Sequence, residues 1–123
     1  MKLRIKGNSI RLRLTKTEII DFGEHGMIEE RTDFPNGSFL LYTLEGRKGI
    51  EQLGAEFSEN KLTVYVPMAI LKHWTTSDEV GFNNKINTGA GKELFLLIEK
   101  DWVCLDNTFE DQRDNFPNPN AVC

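Results

Sequence analysis

The amino-terminal segment, residues 2–14, reads Lys2-Leu3-Arg4-Ile5-Lys6-Gly7-Asn8-Ser9-Ile10-Arg11-Leu12-Arg13-Leu14. Apolar and charged side chains alternate on both sides of Gly7-Asn8, which is the period of a β-strand that buries one face. The Gly-Asn pair suits a two-residue hairpin turn of type I′ or II′. The segment therefore predicts a β-hairpin in which Ile5 lies opposite Ile10 and Arg4 lies opposite Arg11.

This register places five cations on one face of the hairpin. We call them the cationic surface: Lys2, Arg4, Lys6, Arg11 and Arg13. Like charges that face each other across a strand pair are destabilising, so anions or water must offset them. Acidic groups from an adjacent strand or from the carboxyl-terminal segment would do so. Alternatively, the surface would bind an anionic ligand such as a phosphate group, or an acidic protein partner, because arginine offers paired donors to such anions.

The rest of the chain predicts an α+β fold, with a mainly antiparallel, curved β-sheet and two short helices. Thr15 and Glu18 have the spacing of a capping box at the start of the first helix, and Gly23 is expected to end it. A second helix is expected to begin at Pro67 and to carry Trp74 on its apolar side. Strands are predicted at about 27–33, 38–44, 50–57, 62–66, 80–86 and 94–98. Short turns between consecutive strands favour antiparallel pairing.

Length and composition indicate one domain over residues 1–123, with residues 103–123 as an irregular carboxyl-terminal segment. The 123 residues suffice for one hydrophobic core. No internal repeat is visible in the sequence. No apolar run approaches the roughly 18 residues needed to cross a bilayer, and the charged start is unlike a secretory signal, so a cytoplasmic protein is expected.

Charge separates the two ends of the chain. The formal net charge of −4 argues against nucleic acid or an acidic membrane as a general partner. Yet the first sixteen residues contain bases and no acid, whereas residues 101–123 contain five acids and the single base Arg113. Neither an RNA-binding aromatic signature nor a helix-turn-helix pattern accompanies the amino-terminal bases, which further disfavours nucleic acid.

The residues that could hold a metal or act as a nucleophile are few: Cys104, Cys123, His25 and His73. Together they could supply the four ligands of a zinc site, but their spacing matches no zinc motif. Cys104 could also act as a nucleophile with a histidine base, although nearby acids oppose a thiolate. No cofactor is therefore predicted. The sequence favours a non-catalytic binding module, with a metal- or cysteine-dependent enzyme that uses the Cys104 neighbourhood as the alternative.

Two segments carry a resemblance to a known family. The segments at residues 1–15 and at residues 110–119, which read MKLRIKGNSIRLRLT and EDQRDNFPNP, are similar to a family of small bacterial proteins of unknown function. The resemblance extends over the whole chain. It implies a bacterial, cytoplasmic protein and transfers no activity, cofactor or site residue.

Overall fold

The computed structural model describes residues 1–102, 114 and 116. Along these residues, eight strands and two helices follow one another. In chain order they are β1 (Lys2–Lys6), β2 (Ser9–Leu14), α1 (Lys16–His25), β3 (Met27–Asp33), β4 (Phe39–Arg47), β5 (Gly54–Ser58), β6 (Lys61–Pro67), α2 (Met68–Thr75), β7 (Gly81–Asn87) and β8 (Glu93–Lys100). The α+β class predicted from the sequence is confirmed, whereas the predicted irregular segment 103–123 lies almost wholly outside the described residues.

The strands form two four-stranded mixed sheets. Their strand orders are β1-β2-β8-β7 in the first sheet and β3-β4-β6-β5 in the second. The central pairs, β2 with β8 and β4 with β6, are parallel, and the other four pairings are antiparallel. The prediction of a mainly antiparallel sheet was therefore only partly right. It relied on short turns, which specify hairpins but do not indicate how the hairpins join.

The first hairpin has the predicted register. Lys2 pairs with Arg13, Arg4 with Arg11 and Ile5 with Ile10. The turn residue Gly7 has a φ of 54°, a left-handed conformation that glycine adopts without a steric penalty. Strand alternation then sends the even-numbered side chains of β2 to the core and its arginines to the opposite face.

Local sequence signals predict the first residues of the helices more closely than the last ones. Thr15 and Glu18 form both hydrogen bonds of the predicted capping box. The helix α1 passes through Gly23, however, and ends at His25, where Gly26 caps it with a φ of 74°. Gly23 instead lies against the second helix, because a Cβ added there would be 3.0 Å from Thr75 Oγ1. Helix α2 begins one residue later than predicted, after Pro67.

One core receives side chains from both sheets and both helices. Its fully buried members include Leu12 and Ile98 from the first sheet, Leu44 and Val64 from the second, and Trp74 from α2. The rings of Trp74 and Phe22, the latter in α1, pack in a T-shaped arrangement at a centroid distance of 6.3 Å. Within residues 1–102, neither helix has the length and apolar character needed to cross a membrane.

The order of elements repeats after the loop at residues 48–53. The series β1-β2-α1-β3-β4 is followed by β5-β6-α2-β7-β8 in the same arrangement, and each sheet combines one hairpin from either half. The two parallel registers also correspond, since Ser9 pairs with Phe95 as Lys61 pairs with Leu41. The sequence did not reveal this repeat because the halves share few identical residues, and the apolar alternation that they have in common is found in most strands.

Candidate functional site

The five cations of the cationic surface share the outer face of the first sheet. Lys2, Arg4 and Lys6 are exposed on the edge strand β1. Arg11 and Arg13 lie on β2, the next strand inward, and Arg11 is only 9 % exposed. The opposite face of β2 packs into the core, so alternation along the strand commits both arginines to the outer face.

An adjacent strand supplies the anion for the two inner arginines. The carboxylate of Glu99 on β8 accepts hydrogen bonds from Arg11 Nε at 2.7 Å and from Arg13 Nε at 2.9 Å. Glu99 is 5 % exposed, and charge-assisted bonds of this kind offset the cost of its burial. At the sheet's edge, Lys2 Nζ lies 2.8 Å from Asp101 Oδ2. The surface is thus partly neutralised from within the fold.

A shallow groove of about 190 Å³ runs along the outer side of these strands. Its lining combines the cations Arg4, Lys6 and Arg11 with the apolar side chains of Phe95 and Leu97 on β8. A second depression, of about 120 Å³, continues beside it. Its lining residues are Lys2, Arg4, Arg11 and Arg13. The outer face therefore offers positive charge and apolar contact side by side.

Sequence reasoning identified the cations but missed the β8 residues that share their face. Glu99, Leu97 and Phe95 reach this site because β8 lies parallel to β2. The apolar character of β8 on both faces indicated a central strand, but nothing local indicates which strand lies beside it. Lys85 on β7, opposite Phe95, adds a further cation to the outer face.

The internal repeat provides a comparison surface. The positions in β5 and β6 that correspond to the five cations are Gly54, Glu56, Ser58, Thr63 and Tyr65. These residues carry no cation and one acid, in the same strand arrangement and register. Since the second sheet forms without them, the five cations are not a requirement of this strand topology.

The predicted metal-ligating residues do not assemble in the described part of the chain. His25 lies at the end of α1, where it clusters with Asp21 and Glu24 within 4.8 Å. His73 lies on α2, and its Nε2 atom is 3.1 Å from Glu79 Oε2. Both histidines are exposed. Cys104 and Cys123 lie outside the described residues.

A second polar cluster surrounds the Met1 amino group. This buried amine forms ion pairs with Glu18 and with Glu30, the latter at 3.1 Å. Burial alone would lower the pKa of the amine, but hydrogen bonds and charge from both glutamates raise it above the usual 8.0. Burial acts in the opposite sense on Glu18, yet its bonds to Met1 and Thr15 lower its pKa below 4.5. Burial and a hydrogen bond to Glu30 raise the pKa of Tyr42 to about 12.

These shifts predict a defined pH range of full stabilisation by the Met1–Glu18 pair. The lowered pKa of Glu18 adds stability above pH 4.5, and that stability is lost as the pH falls. The raised pKa of the Met1 amine adds stability below pH 8.0, and that stability is lost as the pH rises through the folded-state pKa. We expect Glu18→Gln to lower the free energy of unfolding by about 1–2 kcal/mol at pH 7. The variant should also lose less stability than the unmodified chain as the pH rises above 8.0.

Urea unfolding between pH 5 and pH 10 measures both effects. Glu24→Gln is the matched control, because Glu24 is an exposed acid on the same helix. It should change the free energy of unfolding by less than about 0.5 kcal/mol. If Glu18→Gln and the unmodified chain lose the same stability as the pH rises to 10, the Met1–Glu18 pair is not the source of the pH dependence.

Comparison with known proteins extends over nearly the whole chain. Residues 1–120 match a family of unknown function, DUF7009. The chain belongs to this family. Searches among curated proteins and solved structures gave no match. Membership in DUF7009 confirms the predicted resemblance to a family of unknown function. It assigns no role to the cationic surface, so any function has to be inferred from the site.

Proposed function

We propose that the chain is a non-catalytic binding module whose cationic surface binds acidic segments of a protein partner. The observation that carries the proposal is the difference between the outer faces of two sheets with the same topology. One face concentrates five cations, whereas the corresponding positions of the other contain none. Repulsion between paired cations costs stability, and an acidic ligand would add to the compensation that Glu99 and Asp101 already supply.

The lining of the groove supports a peptide ligand that is both acidic and apolar. Arg4 and Lys6 provide donors for carboxylates, and Phe95 and Leu97 provide apolar contact within the same groove. A bare phosphate would use only the cations. The net charge of −4 also disfavours a polyanion such as duplex DNA, which would be repelled by the rest of the chain.

The test uses the two exposed cations of the groove. The double variant Arg4→Glu with Lys6→Glu should weaken binding of a fluorescein-labelled peptide, in which Asp and Glu alternate with Leu and Phe, by about tenfold or more. Fluorescence anisotropy at low salt measures the affinity. Arg11 is unsuitable for charge reversal, because its bond with Glu99 is buried and a glutamate there would face that carboxylate.

The matched control removes the same charge elsewhere. Lys48→Glu with Lys72→Glu changes two exposed lysines, one in a turn and one on α2. This control should bind the peptide within about twofold of the unmodified chain. If both double variants weaken peptide binding equally, the effect is due to net charge and the proposal is overturned. Tighter binding of duplex DNA than of the peptide would also overturn it. Circular dichroism verifies that both variants are folded.

We further propose a bacterial, cytoplasmic setting and no cofactor. The setting is supported by the resemblance at residues 1–15 and 110–119, and it agrees with the scarcity of cysteine, of which the chain has two. Binding through side-chain cations needs no prosthetic group.

A further inference from the structure

We infer that an acidic partner binds the cationic surface as an added β-strand, which pairs with the outer edge of β1. The inference rests on the proposed function, because it assigns a conformation and a docking edge to the ligand of the same surface. Three features carry it: the position of β1 in its sheet, the alternation of its side chains, and the charges of the four edge strands.

The strand β1 lies at the edge of the first sheet. It pairs with β2 on one side, and within the part of the chain that the structure describes no strand pairs with its other side. In an antiparallel pair only alternate residues bond to the neighbouring strand. The other residues of β1 therefore present their backbone N–H and C=O groups at the outer edge, where an extended peptide can form backbone hydrogen bonds.

The side chains of β1 suit a strand in which acidic and apolar residues alternate. Lys2, Arg4 and Lys6 lie on the outer face of the sheet, and Leu3 and Ile5 lie on the opposite face. Side chains at matched positions of neighbouring strands share a face. An added strand would therefore place its carboxylates beside the cations and its apolar side chains beside Leu3 and Ile5.

Ile5 is the apolar residue that an added strand would cover. Leu3 packs against the core, whereas Ile5 is 60 % exposed. Its cross-strand neighbour Ile10 also packs against the core, so the apolar layer continues outward to Ile5. Because the groove lies on the outer face and Ile5 on the opposite one, a ligand confined to the groove would leave Ile5 exposed.

The charges of the edge strands favour β1 for an acidic partner. The strand β1 has three cations and no acid, whereas β3 has three acids and one cation. The strand β5 has one acid and no cation, and β7 has a single cation. Like charges would repel the β1 strand of a second copy, and opposite charges would attract an acidic strand. The occupant is therefore an acidic segment of a partner protein.

The added strand and the groove share the cations of β1. Arg4 and Lys6 line the groove together with Phe95 and Leu97 of β8. Since β1 and β2 separate β8 from the outer edge, the added strand itself contacts the cations but not these two apolar residues. Partner residues that flank the added strand would contact Phe95 and Leu97.

The experiment uses the fluorescein-labelled peptide in which Asp and Glu alternate with Leu and Phe, together with two N-methylated forms. Each form carries methyl groups on alternate backbone amides, in one register or the other. Only alternate amides of an added strand donate to β1. In fluorescence anisotropy, one form should therefore bind about tenfold more weakly than the unmethylated peptide and the other within about twofold. Binding through side chains alone would affect both forms equally.

A variant of the full-length chain assigns the added strand to β1. Ile5→Thr removes apolar area at the outer edge but keeps a β-branched residue in the strand, and it should weaken peptide binding about fivefold. The matched control is Phe57→Thr on β5, because Phe57 occupies the position that corresponds to Ile5 and is 66 % exposed. This control should bind the peptide within about twofold of the unmodified chain. The circular dichroism spectra of both variants should match that of the unmodified chain.

The outcomes separate the inference from the proposed function. If the unmodified chain binds the peptide but both methylated forms bind alike, the inference is overturned and the proposed function stands. The same holds if Ile5→Thr binds as the unmodified chain does, or no more weakly than Phe57→Thr. Absence of peptide binding to the unmodified chain would overturn the proposed function and the inference with it. Sedimentation velocity tests a second copy as the occupant: oligomers that Ile5→Thr dissociates and the peptide does not would also overturn the inference.

Discussion

Glu99→Gln should destabilise the chain by about 3 kcal/mol, one of the two largest effects expected of any single change described for it. The carboxylate is 5 % exposed and accepts hydrogen bonds from both Arg11 and Arg13. An amide of the same shape carries no charge, so the buried Arg11 guanidinium loses its ion pair with Glu99. Removing one partner of a buried ion pair typically costs about 3–5 kcal/mol, and the partial exposure of Arg13 places this case at the lower limit.

The second sheet provides the control for this prediction. Glu45 on β4 occupies the position that corresponds to Glu99, and its ion pair with Arg47 spans 3.8 Å between exposed side chains. Glu45→Gln should therefore change the free energy of unfolding by less than about 0.5 kcal/mol. Urea unfolding at pH 7 measures both variants. Similar losses at the two positions would mean that Glu99 does not hold the arginines of the cationic surface.

Trp74→Ala should lower the free energy of unfolding by about 3–5 kcal/mol. The side chain is fully buried where α2 meets α1. Its ring makes edge contacts with Phe22 and, at a centroid distance of 5.0 Å, with Phe82. Alanine would leave a cavity between both helices and the first sheet. The melting temperature should fall by about 15 °C or more, as measured by circular dichroism at 222 nm.

The other tryptophan provides the comparison. Trp102 is 47 % exposed just after β8, so Trp102→Ala should cost less than about 1 kcal/mol. Because the two substitutions remove the same atoms, the difference between them isolates the contribution of burial. A loss in Trp74→Ala no greater than that in Trp102→Ala would contradict the position of Trp74 at the centre of the core.

The parts of the fold that the sequence predicts are those that local interactions determine. The Gly7-Asn8 turn fixes the register of β1 and β2, and Thr15 with Glu18 fixes the start of α1. The end of α1 was predicted wrongly because Gly23 serves a contact with α2 rather than a left-handed cap. Such a contact depends on a partner about fifty residues away, which local patterns do not specify.

The candidate site was predictable to the same extent. The shared face of the five cations follows from strand alternation within one hairpin, and the structure has it. Their neighbours Glu99, Leu97 and Phe95 depend on the parallel pairing of β2 with β8, which joins segments at opposite ends of the described chain. Strand pairing over such a distance is determined by the packing of the whole core. Hydrophobic periodicity and turn residues do not predict it.

The exchange of hairpins between the halves has a consequence for synthesis on the ribosome. The second sheet can close once β6, which ends at Pro67, has emerged beside β4, but the first sheet cannot close until β8, which ends at Lys100, has emerged beside β2. Before β6 and β8 emerge, the nascent amino-terminal half displays the unpaired inner edges of β2 and β4. Open strand edges invite association with other chains. A second nascent copy of the same half would present matching edges, and premature termination within the loop at residues 48–53 would favour paired half-chains over monomers.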